Sequence, residues 1–435
     1  MTNSFSEDFL WGAASASAQI EGAFDADGKG LSIWDIAPVD KIRCSENCHL
    51  SCDHYHRFRE DVALMKQMGL KAYRFSVSWP RIQPSKGTVN PDGIDFYRQL
   101  VKELKDAGIE PMVTLYHWDM PVWVYESGGW TQGEIIELFT QYTKIVVDAL
   151  SDQVQWWMTF NEPYSFLYNG YVTGVHAPFV QNRDIFTQIS ENCLRANAAA
   201  VHTIRQNAVL PPKIGIALGS QCSIPKNDTQ QAVAEASQNT FDSPLGLLIN
   251  RWWCDPMIFG KGVTLNETHQ ITDQSAQAMK CRLDFIGLNI YQPFDSDAVD
   301  RDCPNPDRRT GLGWPIDGRC LYWNVRFFFE RYGVPILISE NGMSDPDTVT
   351  TDGAVHDERR IRFIEEYLRY LKQAAQEQIP LLGYLHWSVM DNFEWAEGYG
   401  PRFGLAYVDY PSQRRILKDS AIVYRTIIES NGSNL

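Results

Sequence analysis

Apolar residues along this chain follow two rhythms that alternate. In one they recur at helical spacing: Phe96, Leu100, Leu104 and Ala107 fall on one face, as an amphipathic helix requires. In the other they form short, nearly unbroken runs. Four segments join the two in the same order. They are L-M-K-Q-M-G-L-K-A-Y-R-F-S-V-S-W from Leu64, L-K-D-A-G-I-E-P-M-V-T-L-Y-H-W from Leu104, F-F-E-R-Y-G-V-P-I-L-I-S-E from Phe328 and L-K-Q-A-A-Q-E-Q-I-P-L-L-G-Y-L-H-W from Leu371. Each is the end of a helix, usually a Gly or Pro break, and then an apolar strand closing on a polar or aromatic residue. Glycine just past a helix is the expected cap.

The pattern predicts eight strands, near Phe9–Ala14, Ala72–Ser78, Pro111–Tyr116, Trp156–Phe160, Lys213–Leu218, Asp284–Ile290, Pro335–Ser339 and Leu381–Trp387. Helical patterns separate most of them. Strands that are apolar on both faces belong to a parallel sheet covered by helices. Eight such units close into a (β/α)8 TIM barrel. The alternative is an open doubly wound sheet, but no G-x-G-x-x-G follows the first strand. No linker or low-complexity segment interrupts the chain, so residues 1–435 are expected to be a single (β/α)8 domain.

Composition narrows the function. With 44% hydrophobic and 21% charged residues the chain can bury a large core. Its net charge of −15 argues against nucleic acid or an anionic membrane as partner. No apolar run approaches the roughly 20 residues that span a bilayer. The start, M-T-N-S-F-S-E-D-F-L-W, has neither a basic region nor an apolar stretch, so no signal peptide and a cytoplasmic location are expected. Most of the nine cysteines are scattered singly, as reduced thiols would be. The exception is C-S-E-N-C-H-L-S-C, which places Cys44, Cys48 and Cys52 just before His54 and His56. That run admits a zinc site, a disulfide or a loop of reduced thiols. The 14 Trp present flat apolar faces with a polar edge. Beside carboxylates such rings suit sugars; elsewhere they fill a core.

Barrel active sites lie at the C-terminal ends of the strands. There the sequence places Gln19, Arg74, His117, Asn161, Glu162, Tyr291, Glu340 and Trp387. A carboxylate closing a buried strand is unfavourable unless something uses it. Glu162 closes W-W-M-T-F-N-E on strand four and Glu340 closes V-P-I-L-I-S-E on strand seven. Two carboxyls facing across one mouth suit glycoside hydrolysis, at about 5–5.5 Å for retention or about 6.5–9.5 Å for inversion. Sequence leaves the two geometries open.

At these residues the chain resembles glycoside hydrolase family 1, the β-glucosidase family. T-F-N-E-P from Thr159 resembles its acid/base motif, and I-S-E-N-G from Ile338 its nucleophile motif, with Ser339 where Thr is more usual. F-L-W-G-A-A-S-A-S-A-Q-I-E-G from Phe9, Y-R-F-S-V-S-W-P-R-I from Tyr73, Y-H-W-D-M-P from Tyr116, D-F-I-G-L-N-I-Y from Asp284 and W-S-V-M-D-N-F-E-W from Trp387 extend the resemblance over nearly the whole chain, in the family's order.

The resemblance implies a retaining exo-β-glycosidase, with Glu340 as nucleophile and Glu162 as acid/base. It implies supporting roles for Arg74, Asn161, Asn289 and Tyr291, and a sugar pocket of Gln19, His117, Trp118, Trp387, Glu394, Trp395 and Phe403. Arg74 is expected to lower the pKa of Glu340, and the Glu340 carboxylate to raise that of Glu162. Members acting on 6-phosphosugars typically carry Ser at the position of Glu394, with Lys and Tyr shortly after. Here Pro401 and Phe403 stand in those places, so an unphosphorylated O-glycoside is the implied substrate. No cofactor is implied. Departures fall at Gly219, where the family often has Asn, at Ile290, at His176–Phe179, at Arg195–Ala198 and from Gly313 to Cys320. They bear on the aglycone more than on the chemistry. A catalytically silent sugar-binding protein and a transglycosylase are the rival readings.

Overall fold

The computed structural model describes residues 5–294 and 306–435. Eight parallel strands close into a barrel: β1 (Leu10–Ala14), β2 (Ala72–Ser76), β3 (Glu110–Tyr116), β4 (Trp156–Asn161), β5 (Lys213–Gly219), β6 (Ile286–Asn289), β7 (Ile336–Asn341) and β8 (Leu381–Trp387). Each pairs with its neighbours in chain order and β8 closes on β1. This is the (β/α)8 TIM barrel that the alternating pattern predicts, with all eight strands where it places them. Two short hairpins, Val263–Thr264 with Gln270–Ile271 and Ala406–Asp409 with Arg414–Leu417, lie outside the barrel.

Among the described residues, eight longer helices follow the strands in turn: α1 (His54–Gln67), α2 (Pro91–Asp106), α3 (Glu134–Leu150), α4 (Phe186–Asn207), α5 (Gln230–Asp242), α6 (Arg319–Tyr332), α7 (Glu358–Gln376) and α8 (Asp419–Glu429). α2 shows how local chemistry sets the limits. The Asn90 side chain accepts from the Asp92 amide, and Pro91 takes a first-turn position that needs no donor. Phe96, Tyr97, Leu100, Val101 and Leu104 bury one face, and Gly108 ends the helix at φ +76°.

Two apolar clusters result. The larger lies between strands and helices. The smaller fills the barrel and includes Ala72, Met112, Trp156, Met158, Phe285 and Leu337. Side chains alternate between the two along each strand. On β2, Ala72 faces the barrel interior while Tyr73 and Phe75 face the helices. Arg74 therefore points inward, and lies mid-strand rather than at the strand end.

Two strands break this alternation where it matters. On β4, Trp156 and Met158 face inward, so regular pleating would turn Asn161 outward. But Met158 pairs with Gly215 and Asn161 with Ala217, so β4 holds one extra residue over that interval. On β7 the same happens: Leu288 pairs with Ile338 but Asn289 with Glu340. Such bulges re-aim side chains next to active sites. Here they turn Asn161 and Glu340 into the barrel mouth, where they are 1% and 3% exposed. The strands accordingly run on to Asn161 and Asn341, past the predicted ends at Phe160 and Ser339.

The loop after β8 is pinned from below by a buried ion network. Lys418 donates to Asp391 at 2.6 Å and to Asp347 at 2.5 Å, and Arg402 donates to Asp391 at 2.6 Å. The Gly404 amide also donates to Asp391, at 3.0 Å. Removing one partner from a buried network strands the others. Asp391→Ala is expected to cost about 3–5 kcal/mol of stability, read as a lowered denaturation midpoint. A loss below about 1 kcal/mol, the scale of a surface pair, would show that the network does not hold the loop.

Candidate active site

The C-terminal mouth of the barrel opens into a cleft of about 440 Å³. Glu162, Glu340 and Asn289 lie in it, and His117, Trp387 and Trp395 line one part of its wall. Among the described residues lining it, none is Lys or Arg.

Arg74 sits below the cleft, 1% exposed, with every donor nitrogen engaged. Its Nε donates to Thr114 Oγ1 at 2.9 Å, its Nη2 to Asn161 Oδ1 at 2.7 Å and its Nη1 to Glu340 Oε1 at 2.6 Å. Nη1 also reaches the Ser339 carbonyl at 3.2 Å. Tyr291 donates its hydroxyl to the other oxygen of Glu340 at 2.6 Å. The Glu340 carboxylate thus has a cation on one oxygen and a hydroxyl on the other.

Glu162 is held by neutral donors instead. Asn289 Nδ2 donates to Oε1 at 2.7 Å and Ser165 Oγ to Oε2 at 2.6 Å. Its backbone is left-handed, φ +44°, as are those of Trp118 (φ +77°) and Trp395 (φ +53°). Non-glycine residues held in that region concentrate at functional sites. Asn289 is oriented in turn by Ser339 Oγ, which donates to its Oδ1 at 2.7 Å.

Burial is the largest influence on Glu340, Glu162 and Glu394, three carboxyls that line the cleft. It pushes Glu340 up to about 7, against the pull of Arg74, with the Glu162 charge adding to the rise. It raises Glu162 too, opposed by the Ser165 and Asn289 donors. It lifts Glu394 to about 8, helped by Glu340 and Glu162. As expected, Arg74 lowers Glu340, although desolvation outweighs it. One sequence expectation is corrected: burial rather than the Glu340 charge is what raises Glu162. With one proton between the two, the anion belongs on Glu340, where the guanidinium is, and the proton on Glu162.

The remaining predicted residues gather at the same mouth. His117 is 2% exposed, and burial holds its pKa well below the ordinary imidazole value, so it is neutral. Asn161 Nδ2 lies 3.0 Å from its Nε2, while its Nδ1 is buried with no partner among the described residues. The ring stacks 5.7 Å from Trp387 and 5.8 Å from Trp395. Trp118 donates its indole N–H to the Asn161 carbonyl at 2.9 Å. Glu394 and Phe403 line the cleft. Gln19 is fully buried behind it, donating to Asn392 and to the Phe393 carbonyl, and its Oε1 has no partner among the described residues. Sequence reasoning missed Ser165, Thr114 and the Tyr164, Gln221 and Trp314 side of the cleft. Thr114 was within reach: it follows inward-facing Met112 by two.

The cysteine run does not converge. Cys44 is exposed, Cys48 donates to Asp35 at 3.6 Å and Cys52 donates to the Asp391 carbonyl at 3.1 Å. His54 pairs with Asp61 and His56 with Asp53. Among the described residues no three His, Cys, Asp or Glu side chains are grouped to hold a metal ion, and no helix is long and apolar enough to cross a membrane. Cys303 lies outside the described residues.

Comparison with known proteins gives a consistent result. The family model "Glycosyl hydrolase family 1" matches residues 1–433. "Beta-glucosidase A" of Thermotoga maritima is 38% identical, over 98% of both chains. An aryl-phospho-β-D-glucosidase of Bacillus subtilis is 35% identical, over 99% of this chain and 98% of that one. Among solved structures, a β-glucosidase from Thermotoga maritima in complex with glucoimidazole superposes with a TM-score of 0.87 at 36% identity, covering 99% of this chain and 100% of the other.

The geometry around Glu340 makes a direct prediction. The Tyr291 hydroxyl stabilises the ionised carboxylate, so Tyr291→Phe is expected to move the Glu340 titration to higher pH. Carboxyl ¹³C NMR, with Glu340→Gln to assign the signal, reads it. A titration that stays put or moves down would show that the hydrogen bond does not hold the anion.

Proposed function

Because the chain belongs to glycosyl hydrolase family 1, we propose that it is a retaining exo-β-glycosidase of the β-glucosidase type, acting on the terminal β-D-glycosyl residue of unphosphorylated O-glycosides. The carrying observation is the division of labour between two carboxyls in one cleft: Glu340 on Arg74 and Tyr291, Glu162 on Asn289 and Ser165. In the first step the Glu340 carboxylate attacks the anomeric carbon. The bond to the leaving oxygen breaks, and that oxygen takes the Glu162 proton. The Glu340 charge is then spent in a glycosyl ester, so Glu162 becomes the stronger acid and rests as carboxylate. In the second step Glu162 draws a proton from water, the water oxygen bonds to the anomeric carbon, and the Glu340 carboxylate leaves.

The surroundings support both steps. Arg74 offsets the charge of the nucleophile, and Asn161, held by Arg74 and Asn289, is placed for the 2-hydroxyl, a contact that strengthens in the transition state. Trp387 offers a flat face to the sugar, and the buried Nδ1 of His117 and Oε1 of Gln19, unpartnered among the described residues, leave hydrogen-bonding capacity for its hydroxyls. Glu394 is a third carboxyl in a cleft whose described lining has no Lys or Arg. A phosphate dianion there would find no cationic partner among the described lining residues, which favours unphosphorylated sugars although one relative is named a phospho-β-glucosidase. The same reading takes residues 1–435 as one catalytic domain, supported by a family match that runs from 1 to 433.

The test is release of p-nitrophenol from the β-glucoside, β-galactoside, β-fucoside and β-glucoside 6-phosphate. Turnover of at least one unphosphorylated glycoside is expected, with the 6-phosphate slower, and a loss of at least about 10³-fold in kcat for Glu340→Ala. Preference for the 6-phosphate would overturn the substrate assignment, and unchanged rates in Glu340→Ala the mechanism. The acid limb carries a further expectation. Glu340 must be ionised to attack, so kcat/KM falls as pH drops through about 7. A profile flat between pH values of about 8 and 5, across that value and the ordinary glutamate range, would contradict it.

A further inference from the structure

Gly219 closes β5 and lines the cleft directly beside Glu162. A Cβ at this position would lie 2.9 Å from Glu162 Cδ and 3.0 Å from its Oε2. Real Cβ atoms do not approach that closely, so the carboxyl would have to move. It has little freedom to do so. Asn289 holds one oxygen and Ser165 the other, and the Glu162 amide donates to the Ala217 carbonyl at 2.8 Å. Any shift away from β5 therefore breaks hydrogen bonds that orient the group.

Resting on the reading of Glu162 as acid/base, we propose that Gly219 and Ser165 are positioning residues that seat its carboxyl: the glycine leaves the space on the β5 side into which the group leans, and the serine holds its outer oxygen there. The serine hydroxyl suits both halves of the cycle. It can donate to the carboxylate and accept from the carboxylic acid, so the contact survives each change of protonation state. Glu162 immediately precedes the short helix Pro163–Leu167, whose third residue is Ser165, so the acid and its clamp are adjacent in the chain.

Leaving-group dependence separates this from a structural role. Dinitrophenolate departs without a proton, whereas methoxide and phenoxide need one, and kcat/KM reports the first chemical step. The experiment compares dinitrophenyl, phenyl and methyl β-glycosides of whichever glycone turns over fastest, in wild type, Gly219→Ala, Ser165→Ala and Glu162→Gln. Gly219→Ala is expected to lose about 10- to 100-fold on the methyl and phenyl substrates, with an unchanged melting temperature and within about threefold of wild type on the dinitrophenyl one. Ser165→Ala is expected to show the same contrast, smaller. It also moves the alkaline limb to higher pH, since a donor to the ionised carboxylate is gone. If Glu162→Gln shows the contrast while both other variants track wild type, or lose equally on all substrates, the seat is overturned and the acid/base reading stands. If Glu162→Gln shows no contrast, the acid/base reading fails and the seat with it. Should Gly219→Ala melt lower, Ser165→Ala, which adds no bulk, decides the matter alone.

Discussion

Arg74 is a guanidinium held almost out of water at the floor of the barrel mouth, and the site is arranged around its charge. Burying it is unfavourable by several kcal/mol unless its donors are satisfied. The satisfaction comes from three other strands: Thr114 on β3, Asn161 on β4, and Glu340 with the Ser339 carbonyl on β7. One side chain from β2 thus fixes residues contributed by distant parts of the chain. The constraint works in both directions. Without Arg74 the Glu340 carboxyl would be a buried acid with no counter-charge, and without Glu340 the arginine would be a buried cation. The proposed chemistry needs an anion at that spot, and Arg74, together with the Tyr291 hydroxyl, opposes the desolvation that drives it neutral.

A second asymmetry follows. Glu162 receives two neutral donors and no cation. Two carboxyls of the same type, both buried, are therefore made different by what touches them, and the proton settles on the one without the guanidinium. The neighbouring Glu394 is buried in the same cleft, where desolvation and the charges of Glu340 and Glu162 raise its own affinity for a proton. Arg74 sets the polarity of the two carboxyls from beneath, while His117, Trp118, Trp387, Trp395 and Phe403 supply uncharged rings to the cleft wall.

The barrel was legible because its strands are buried on both faces and so stand out as apolar runs between amphipathic helices. The strand-end residues were legible because a polar group closing such a run needs a reason to be there. Three things were not. The bulges in β4 and β7 are pairing irregularities, and nothing in alternation marks where one extra residue turns Asn161 and Glu340 inward. Gly219 lies against Glu162 from the neighbouring strand β5, which a linear reading does not carry, and the Ser165 contact, although only three residues away, carries no motif that marks it. The Cys44–Cys52 run read as possible ligands because its residues are close in sequence. In space Cys44 is exposed while Cys48 and Cys52 turn to different neighbours, and burial pushes Cys52 up to about 12, leaving it a thiol rather than a metal-binding thiolate.

The claim at the centre is that Glu340 forms a covalent bond to the sugar while Glu162 serves it as acid and base. Incubation with a 2-deoxy-2-fluoro-β-glucosyl fluoride tests this most directly. The fluorine at C2 slows both steps, and the fluoride leaving group restores the first, so the intermediate accumulates. The account predicts one glycosyl unit per chain by intact mass spectrometry, located by peptide mapping on Glu340, and none in Glu340→Ala. A label on another residue, or turnover with inversion and no label at all, would contradict it.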